Sequence, residues 1–451
     1  MSAAARVAVA YSGGRDSTAL LHATVEAARG AGVQVVALHV HHGLNPQADA
    51  WLALCREVCA RWAAGGAPLS FVAERLAGRP GPGDSLEAWA RDGRYRALTR
   101  MAHAAGASVV LLAHHRRDQA ETWLLQALRG AGTAGLSAMP REIRRDGLLW
   151  IRPWLDRPRS ALEAYGVAHG LVYVDDDSND DERLARNRLR RRVWPALEAA
   201  FPQAEACLAD AAAWAAQADA ALDELAALDL EHIAPGTELD VAAWRGLSDA
   251  RRSNAMRAWL RARLGQPAPA SLVQRLLVQL EAGRARRWPA GAGELRSHRG
   301  RLHWVPRREP PRAGAAERES RLCITRAGAY RLPGWGGRLQ VTRVAFGGVP
   351  LAWLAHAELR PRQGAEQFQA GLGRPPRSLK KQFQAAGVAA WQRDGPLLYS
   401  GGQLVFVPGL GLDARIVGLP GQALVTLEWL PAGDAEAPGA LARRGRRRGE
   451  S

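Results

Sequence analysis

Over the first 130 residues, short apolar runs alternate with amphipathic stretches. Val7–Tyr11, Val33–Val40, Leu69–Val72 and Val109–Ala113 are short and apolar, as buried strands are. Thr18–Arg29, Asp49–Ala64, Ser85–Ala105 and Gln119–Leu128 space their apolar residues three and four apart, as helices do. Strands separated by helices require crossovers, so the pattern predicts a parallel sheet covered on both faces. Residues 150–200 add a helix near Arg159–His169, the apolar run Leu171–Val174 and a basic helix near Leu184–Ala199.

From about Pro202 the pattern changes. Ala206–Leu230, Ala250–Leu264 and Ser271–Glu281 read as helices. Residues 306–320 are rich in Pro, Arg, Gly and Glu, the composition of a linker. Beyond them, strand-like runs in Leu322–Val344, Leu397–Val407 and Leu424–Leu430 accompany a helix around Ser378–Ala386. The expected class is α/β. A parallel-sheet domain (1–200) precedes a small helical domain (201–305), a linker (306–321), a mixed α+β domain (322–430) and a disordered basic tail (431–451).

Composition adds a partner to this picture. The chain of 451 residues carries a net charge of +17, which attracts polyanions, nucleic acid first among them. Of its 61 basic residues only Lys380 and Lys381 are lysines, and Asn45, Asn179, Asn187 and Asn254 are its only asparagines. A coding pressure towards arginine and alanine explains both scarcities and makes the surviving rare residues informative. Four scattered cysteines do not make a disulfide framework. Neither a membrane-spanning run nor a signal peptide is evident, so the expectation is a cytoplasmic protein without a membrane partner.

The candidate chemistry starts at Ser12-Gly13-Gly14-Arg15-Asp16-Ser17, between the first strand and the first helix. Two glycines let backbone N–H groups approach a ligand closely, and the helix aims its positive end at the same spot. Ser12 and Ser17 can donate to phosphate oxygens. Asp16 suits Mg²⁺ or a helix cap. The loop lacks the lysine of a Walker A motif and the third glycine of a dinucleotide fingerprint. His39-Val40-His41-His42-Gly43-Leu44-Asn45-Pro46 and His114-His115-Arg116-Arg117-Asp118-Gln119-Ala120-Glu121-Thr122 follow the second and fourth strands, where open α/β sheets place their ligands.

The hexapeptide resembles the SGGxDS loop of the PP-loop ATP pyrophosphatase superfamily. The stretch from His114 to Thr122, with Leu128-Arg129-Gly130-Ala131-Gly132 after it, is similar to the pattern of the tRNA(Ile)-lysidine synthase family, with Arg117 standing where that family has an aspartate. Arg152-Pro153-Trp154-Leu155, Asp176-Asp177-Ser178-Asn179, Arg186-Asn187-Arg188-Leu189-Arg190 and Leu359–Glu366 with Lys380-Lys381 extend the likeness over about residues 7–410. The resemblance implies a PP-loop ATP-binding domain and ATP with Mg²⁺ at Ser12–Ser17, Asp16 being the metal's carboxylate. It also implies tRNA(Ile) with a CAU anticodon and free L-lysine as the other substrates. Asp118, Glu121 and His115 are then expected to hold and deprotonate lysine. Arg186, Asn187, Arg190, Lys380 and Lys381 are expected to meet tRNA, and a homodimer is allowed.

Plainer readings stand beside these. Asp118 and Glu121 have capping-box spacing, with Asp118 as cap. His114 and His115 suit a core, Cys55 and Cys59 suit packing in an apolar helix, and the Arg186–Arg192 run suits a solvated helix face. A PP-loop thiolase would need paired cysteines or an iron–sulfur cluster, and the chain has no Cys-x-x-Cys. A small-molecule amidating synthetase would not need so basic a chain. A non-catalytic RNA-binding paralogue would not need an intact loop.

Overall fold

A computed structural model describes residues 5–43, 45–78, 81, 86–174, 181–307, 320–419 and 421–431. Asp176–Asn179, most of the 306–321 segment and the basic tail from 432 on lie outside the described residues. The chain divides into two compact units, 1–224 and 225–451.

In the first unit a six-stranded sheet has the order β3-β2-β1-β4-β6-β5. Its strands are β1 (Arg6–Ala10), β2 (Gln34–His41), β3 (Leu69–Arg75), β4 (Val109–Leu111), β5 (Glu142–Arg145) and β6 (Leu148–Ile151). The first four and β6 pair in parallel, and β5 closes one edge antiparallel to β6. The hairpin β5–β6 turns through Asp146 and Gly147 at φ 51 and 76, a two-residue turn for which Asp-Gly is well suited. Leu171–Val174 forms no strand; Val174 makes a single bridge to Gly14.

Both faces of the sheet are covered, as a parallel sheet requires. Val36 and Leu38 point to one side, where they pack with Ala97, Leu98 and Met101 of α3 (Leu86–Ala104). Val35 and Ala37 point to the other, against Leu20, Leu21 and Val25 of α1 (Arg15–Ala28) and Cys55 and Cys59 of α2 (Ala48–Ala64). Burial pushes the Cys55 thiol up to about 11 and Cys59 to about 12, so both pack as uncharged groups. The unit continues through α4 (Arg116–Ala127), a short α5 (Thr133–Leu136) and α6 (Arg159–Ala168). Next come α7 (Ala185–Arg188), a π-helical turn (Leu189–Val193) and α8 (Trp194–Ala200).

The second unit is not helical through to residue 305. Helices Val241–Arg245, Asp249–Leu264 and Ala270–Gln279 are followed by antiparallel strands Arg287–Ala290, Gly293–His298 and Arg301–Pro306. Alternate strand residues Trp288, Ala290, Leu295 and Leu302 join the helices' core, while Arg287, Pro289 and Arg301 are exposed. After residue 320 come five-stranded and four-stranded sheets, both antiparallel, sharing a core that includes Val341, Leu359, Leu398 and Val425. The helix Leu379–Ala386 is buried through Leu379, Gln382 and Phe383.

Candidate active site

The strand order reverses between β1 and β4 at the middle of the six-stranded sheet. Ligands of open α/β sheets bind outside the carboxyl ends of the strands at such a switch point. β1 runs into Ser12–Ser17 and β4 into His114-His115, so the topology brings the two motifs together.

The loop is held from below. Gly13 has φ +88, and a Cβ there would lie 2.6 Å from Cys55 Sγ, so glycine is required on two counts. The buried Ser17 hydroxyl donates to Gly14 O at 2.9 Å and accepts from Ser12 N–H at 3.2 Å. Thr18 Oγ1 donates to Gly13 O and Gly14 O. Ser17 is therefore committed to shaping the loop, whereas Ser12 is exposed. The N–H groups of Arg15, Asp16 and Ser17 open α1 and have no partner within its ladder. Arg15 turns sideways: its Nε donates to Asp16 Oδ1 at 3.0 Å and its Nη1 to Glu163 Oε1 at 2.6 Å.

His115 joins the loop to α4. Its Nε2 lies 3.5 Å from Asp16 Oδ2 and 3.5 Å from Asp118 Oδ2. Burial opposes the Asp16 charge, but His115 and Arg15 outweigh it and hold the carboxyl at about 2. Asp118 is not the cap of α4. His115 occupies that position, and Asp118 at the third helical residue accepts the His115 N–H at 3.1 Å. Burial likewise works against the Asp118 charge, and His115, Arg186, His114 and Arg190 together lower its pKa. Burial pushes His114 down to about 3, so it is neutral at physiological pH.

One turn along α4, Glu121 is fully buried and ringed by arginines. Arg190 Nε donates to both carboxylate oxygens, at 2.8 and 2.9 Å, and Arg186 Nε donates to Oε2 at 3.0 Å. Arg190 Nη2 reaches Asp118 Oδ1 at 2.9 Å. The two carboxylates do share a helix face, but the arginines expected to meet tRNA are the groups that hold them. Asn187, also expected to meet tRNA, is buried, and its Nδ2 donates to Asp181 O at 3.1 Å. Arg117 stacks over Trp194 at 4.5 Å, with Glu121 at 3.7 Å and Glu198 at 3.6 Å. Glu163, Glu198 and Trp194 escaped sequence reasoning because each reaches the site from a distant segment.

In the second unit Lys380 and Lys381 are exposed in the first turn of Leu379–Ala386. A helix dipole disfavours cations there, so these lysines are placed at a local cost. Glu366 accepts from Gln363 and Gly364 N–H groups, which makes it the fastener of the preceding turn, and Arg362 lies over Phe383 at 5.8 Å.

Residues 2–197 match a family model for the PP-loop domain, 239–303 one for the TilS substrate binding domain, and 357–429 one for the TilS substrate C-terminal domain. The chain is 42% identical over 438 residues to a tRNA(Ile)-lysidine synthase of Ralstonia nicotianae, covering 94% of this chain and 93% of that one. The chain belongs to the tRNA(Ile)-lysidine synthase family. Further lysidine synthases similar to it come from Burkholderia mallei, 42% identical (90% and 89% covered), and Nitrosomonas europaea, 35% identical (95% and 92% covered). Ser12–Ser17, His115, Asp118, Glu121, Arg186 and Arg190 fall inside the stretch matched as a PP-loop domain, and both lysines fall inside the C-terminal one. Among the described residues no helix is long and apolar enough to cross a membrane.

Proposed function

We propose that this chain is an ATP-consuming ligase that joins free lysine to carbon 2 of the wobble cytidine in the CAU anticodon of tRNA(Ile). Conversion of that cytidine to lysidine changes its reading from AUG to AUA. One observation carries the reading: His115 ties the phosphate loop, through Asp16, to the carboxylate pair on α4. A nucleotide-activating half and an amine-holding half thus meet at one imidazole.

In the first step the cytosine carbonyl oxygen attacks the α-phosphorus of ATP, the bond to the β-phosphate oxygen breaks, and pyrophosphate leaves. The open N–H groups of Arg15, Asp16 and Ser17, with the Ser12 hydroxyl, receive phosphate charge. Among the described residues no group of three or more His, Cys, Asp and Glu is placed to hold a metal. Mg²⁺ commonly binds through one carboxylate and the nucleotide's phosphates, and Asp16, ionised at neutral pH, fits that pattern. The ion would supply charge neutralisation on the departing pyrophosphate.

In the second step the ε-amine of lysine attacks carbon 2, the carbon–oxygen bond breaks, and AMP leaves with the oxygen. The amine arrives as an ammonium. Asp118 and Glu121 seat that charge once tRNA phosphates draw Arg186 and Arg190 away. With its pKa lowered, Asp118 is a poor proton acceptor. The proton leaves by way of the His115 side chain, which touches both Asp16 and Asp118. The exposed Lys380 and Lys381 bind tRNA phosphates. We place the reaction in the cytoplasm, where tRNA and ATP meet.

The test incubates the protein with ATP, labelled lysine and tRNA(Ile) bearing CAU. Label transferred to the RNA, with AMP and pyrophosphate formed, is expected. Pyrophosphate release without tRNA would point to a small-molecule synthetase instead.

A further inference from the structure

In the second unit the turn Arg299-Gly300 joins the strands Gly293–His298 and Arg301–Pro306, with His298 paired to Arg301 across it. Both turn residues are left-handed, at φ 48 and 74. Asparagine and glycine suit such a turn, whereas a longer side chain is disfavoured there by its own backbone. Local rules therefore do not explain an arginine at 299, but its contacts do. Arg299 is exposed, and its Nη2 donates to Gln384 O at 2.9 Å, in the last turn of the helix Leu379–Ala386. A cation is favoured at that end of a helix. The receiving side is shaped to match. Gly387 follows the helix at φ +71, and a Cβ there would overlap the Arg299 guanidinium. His298 Nε2 lies 3.4 Å from Gly387 O.

A second contact joins the same two stretches. Arg296, His298 and His303 share one face of the strand pair, since Arg296 lies opposite His303 and two residues from His298. All three meet Trp391, which is half-buried: the Arg296 guanidinium lies 5.1 Å from the ring, and His298 and His303 stand edge-on at 5.7 and 5.1 Å. Cation and edge contacts of this kind orient an indole as well as holding it. Arg296, His298, Arg299 and His303 belong to the stretch matched as a substrate binding domain, and Gln384, Gly387 and Trp391 to the C-terminal one.

Resting on the tRNA-modifying reading above, we propose that Arg299 is a positioning residue for tRNA: with Trp391 it clasps the C-terminal domain to the substrate binding domain, and so sets where Lys380 and Lys381 stand. The helix Leu379–Ala386 is 8 residues long, about 12 Å. The clasp holds its last turn and the lysines occupy its first. A short rigid rod held at one end carries the other end with it. Two domains fastened in this way offer tRNA one surface, and tRNA does not have to order them as it binds.

Binding of tRNA(Ile) and steady-state lysine transfer by the full-length protein test this. Arg299→Gly leaves a Gly-Gly turn, which suits the same backbone, and deletes the contact. Gly387→Ala keeps the arginine and displaces its guanidinium. Each should raise the Kd and the KM for tRNA by about tenfold, the scale of one charge-assisted hydrogen bond. The kcat at saturating tRNA and the KM values for ATP and lysine should stay as in the parent. Arg299→Lys, which can still reach a carbonyl, should recover part of the loss. The deciding comparison repeats Arg299→Gly in a protein that already carries Lys380→Ala and Lys381→Ala. There it should cause no further weakening and no further change in the salt dependence of binding. A direct phosphate contact by Arg299 would lower the slope of log affinity against log salt by about one more, and that result overturns the positioning role. A tRNA Kd within twofold of the parent in both Arg299→Gly and Gly387→Ala overturns it as well. Failure of the parent protein to bind tRNA(Ile) and transfer lysine overturns the functional reading instead.

Discussion

The sheet crevice and the helix Leu379–Ala386 use cations in opposite ways. Around Asp118 and Glu121, Arg186 and Arg190 are partly buried and paired with carboxylates. On the helix, Lys380 and Lys381 are exposed and sit where the helix dipole disfavours them. A net charge of +17 describes neither place. In the crevice arginine pairs with carboxylates and tunes them; on the helix lysine stands exposed to solvent. The planar guanidinium suits the first task, since it can satisfy two carboxylates at once, as Arg190 does.

The largest effect should come from the crevice. Asp16→Ala removes the carboxylate that His115 and Arg15 jointly keep ionised. Lysine incorporation into tRNA should fall by about a hundred- to a thousandfold, the scale seen when transition-state charge stabilisation is lost, with the circular dichroism spectrum unchanged. Near-normal turnover would remove the loop from the chemistry.

Next in size is a loss of stability. Glu121→Ala leaves Arg186 and Arg190 partly buried without their shared carboxylate. Breaking a buried ion network from one side costs about 3–5 kcal/mol. A denaturant midpoint that barely moves would mean the arginines relax into water freely. That result would weaken the contrast between a structural crevice and a presenting helix.

Much of this contrast was legible in the sequence, but not all of it. Glycines at 13 and 14, the strand before them and the helix after them announce the loop through local rules. Asp118 and Glu121 on one face follow from helical spacing alone. The partnership of Arg186 and Arg190 with those carboxylates does not, because it joins residues more than sixty apart. A run of arginines looks the same on a solvated face and around a buried glutamate. The β5–β6 edge and the strands between Arg287 and Pro306 were obscured by charged residues on their outward faces. Lys380 and Lys381 stood out only because lysine is otherwise absent from the chain.

A smaller effect is expected from His114. Its ordinary pKa of 6.5 falls to about 3 in the folded chain because burial disfavours the imidazolium. Below pH 6.5 the unfolded chain takes up a proton that the folded one refuses. Stability should therefore be complete above about pH 6.5 and decline as the pH falls towards 3. By pH 5 the decline from this residue should reach about 1–2 kcal/mol. Unfolding measured at pH 7.5 and pH 5 should show a smaller drop for His114→Gln than for the parent. An identical drop would show that protonation is accommodated at no cost.

The smallest effect belongs to the presenting helix, and it should differ in kind. Lys380→Ala with Lys381→Ala removes two exposed charges and no buried contact, so stability should stay within about 0.5 kcal/mol. Binding to tRNA should weaken at low salt and converge on the parent as salt rises. Each released phosphate contact lowers the slope of log affinity against log salt by about one. Turnover at saturating tRNA should persist, because the crevice is untouched. A slope identical to the parent's would mean that these lysines face solvent only, and that the placement of two cations at a helix N-terminus has some other cause.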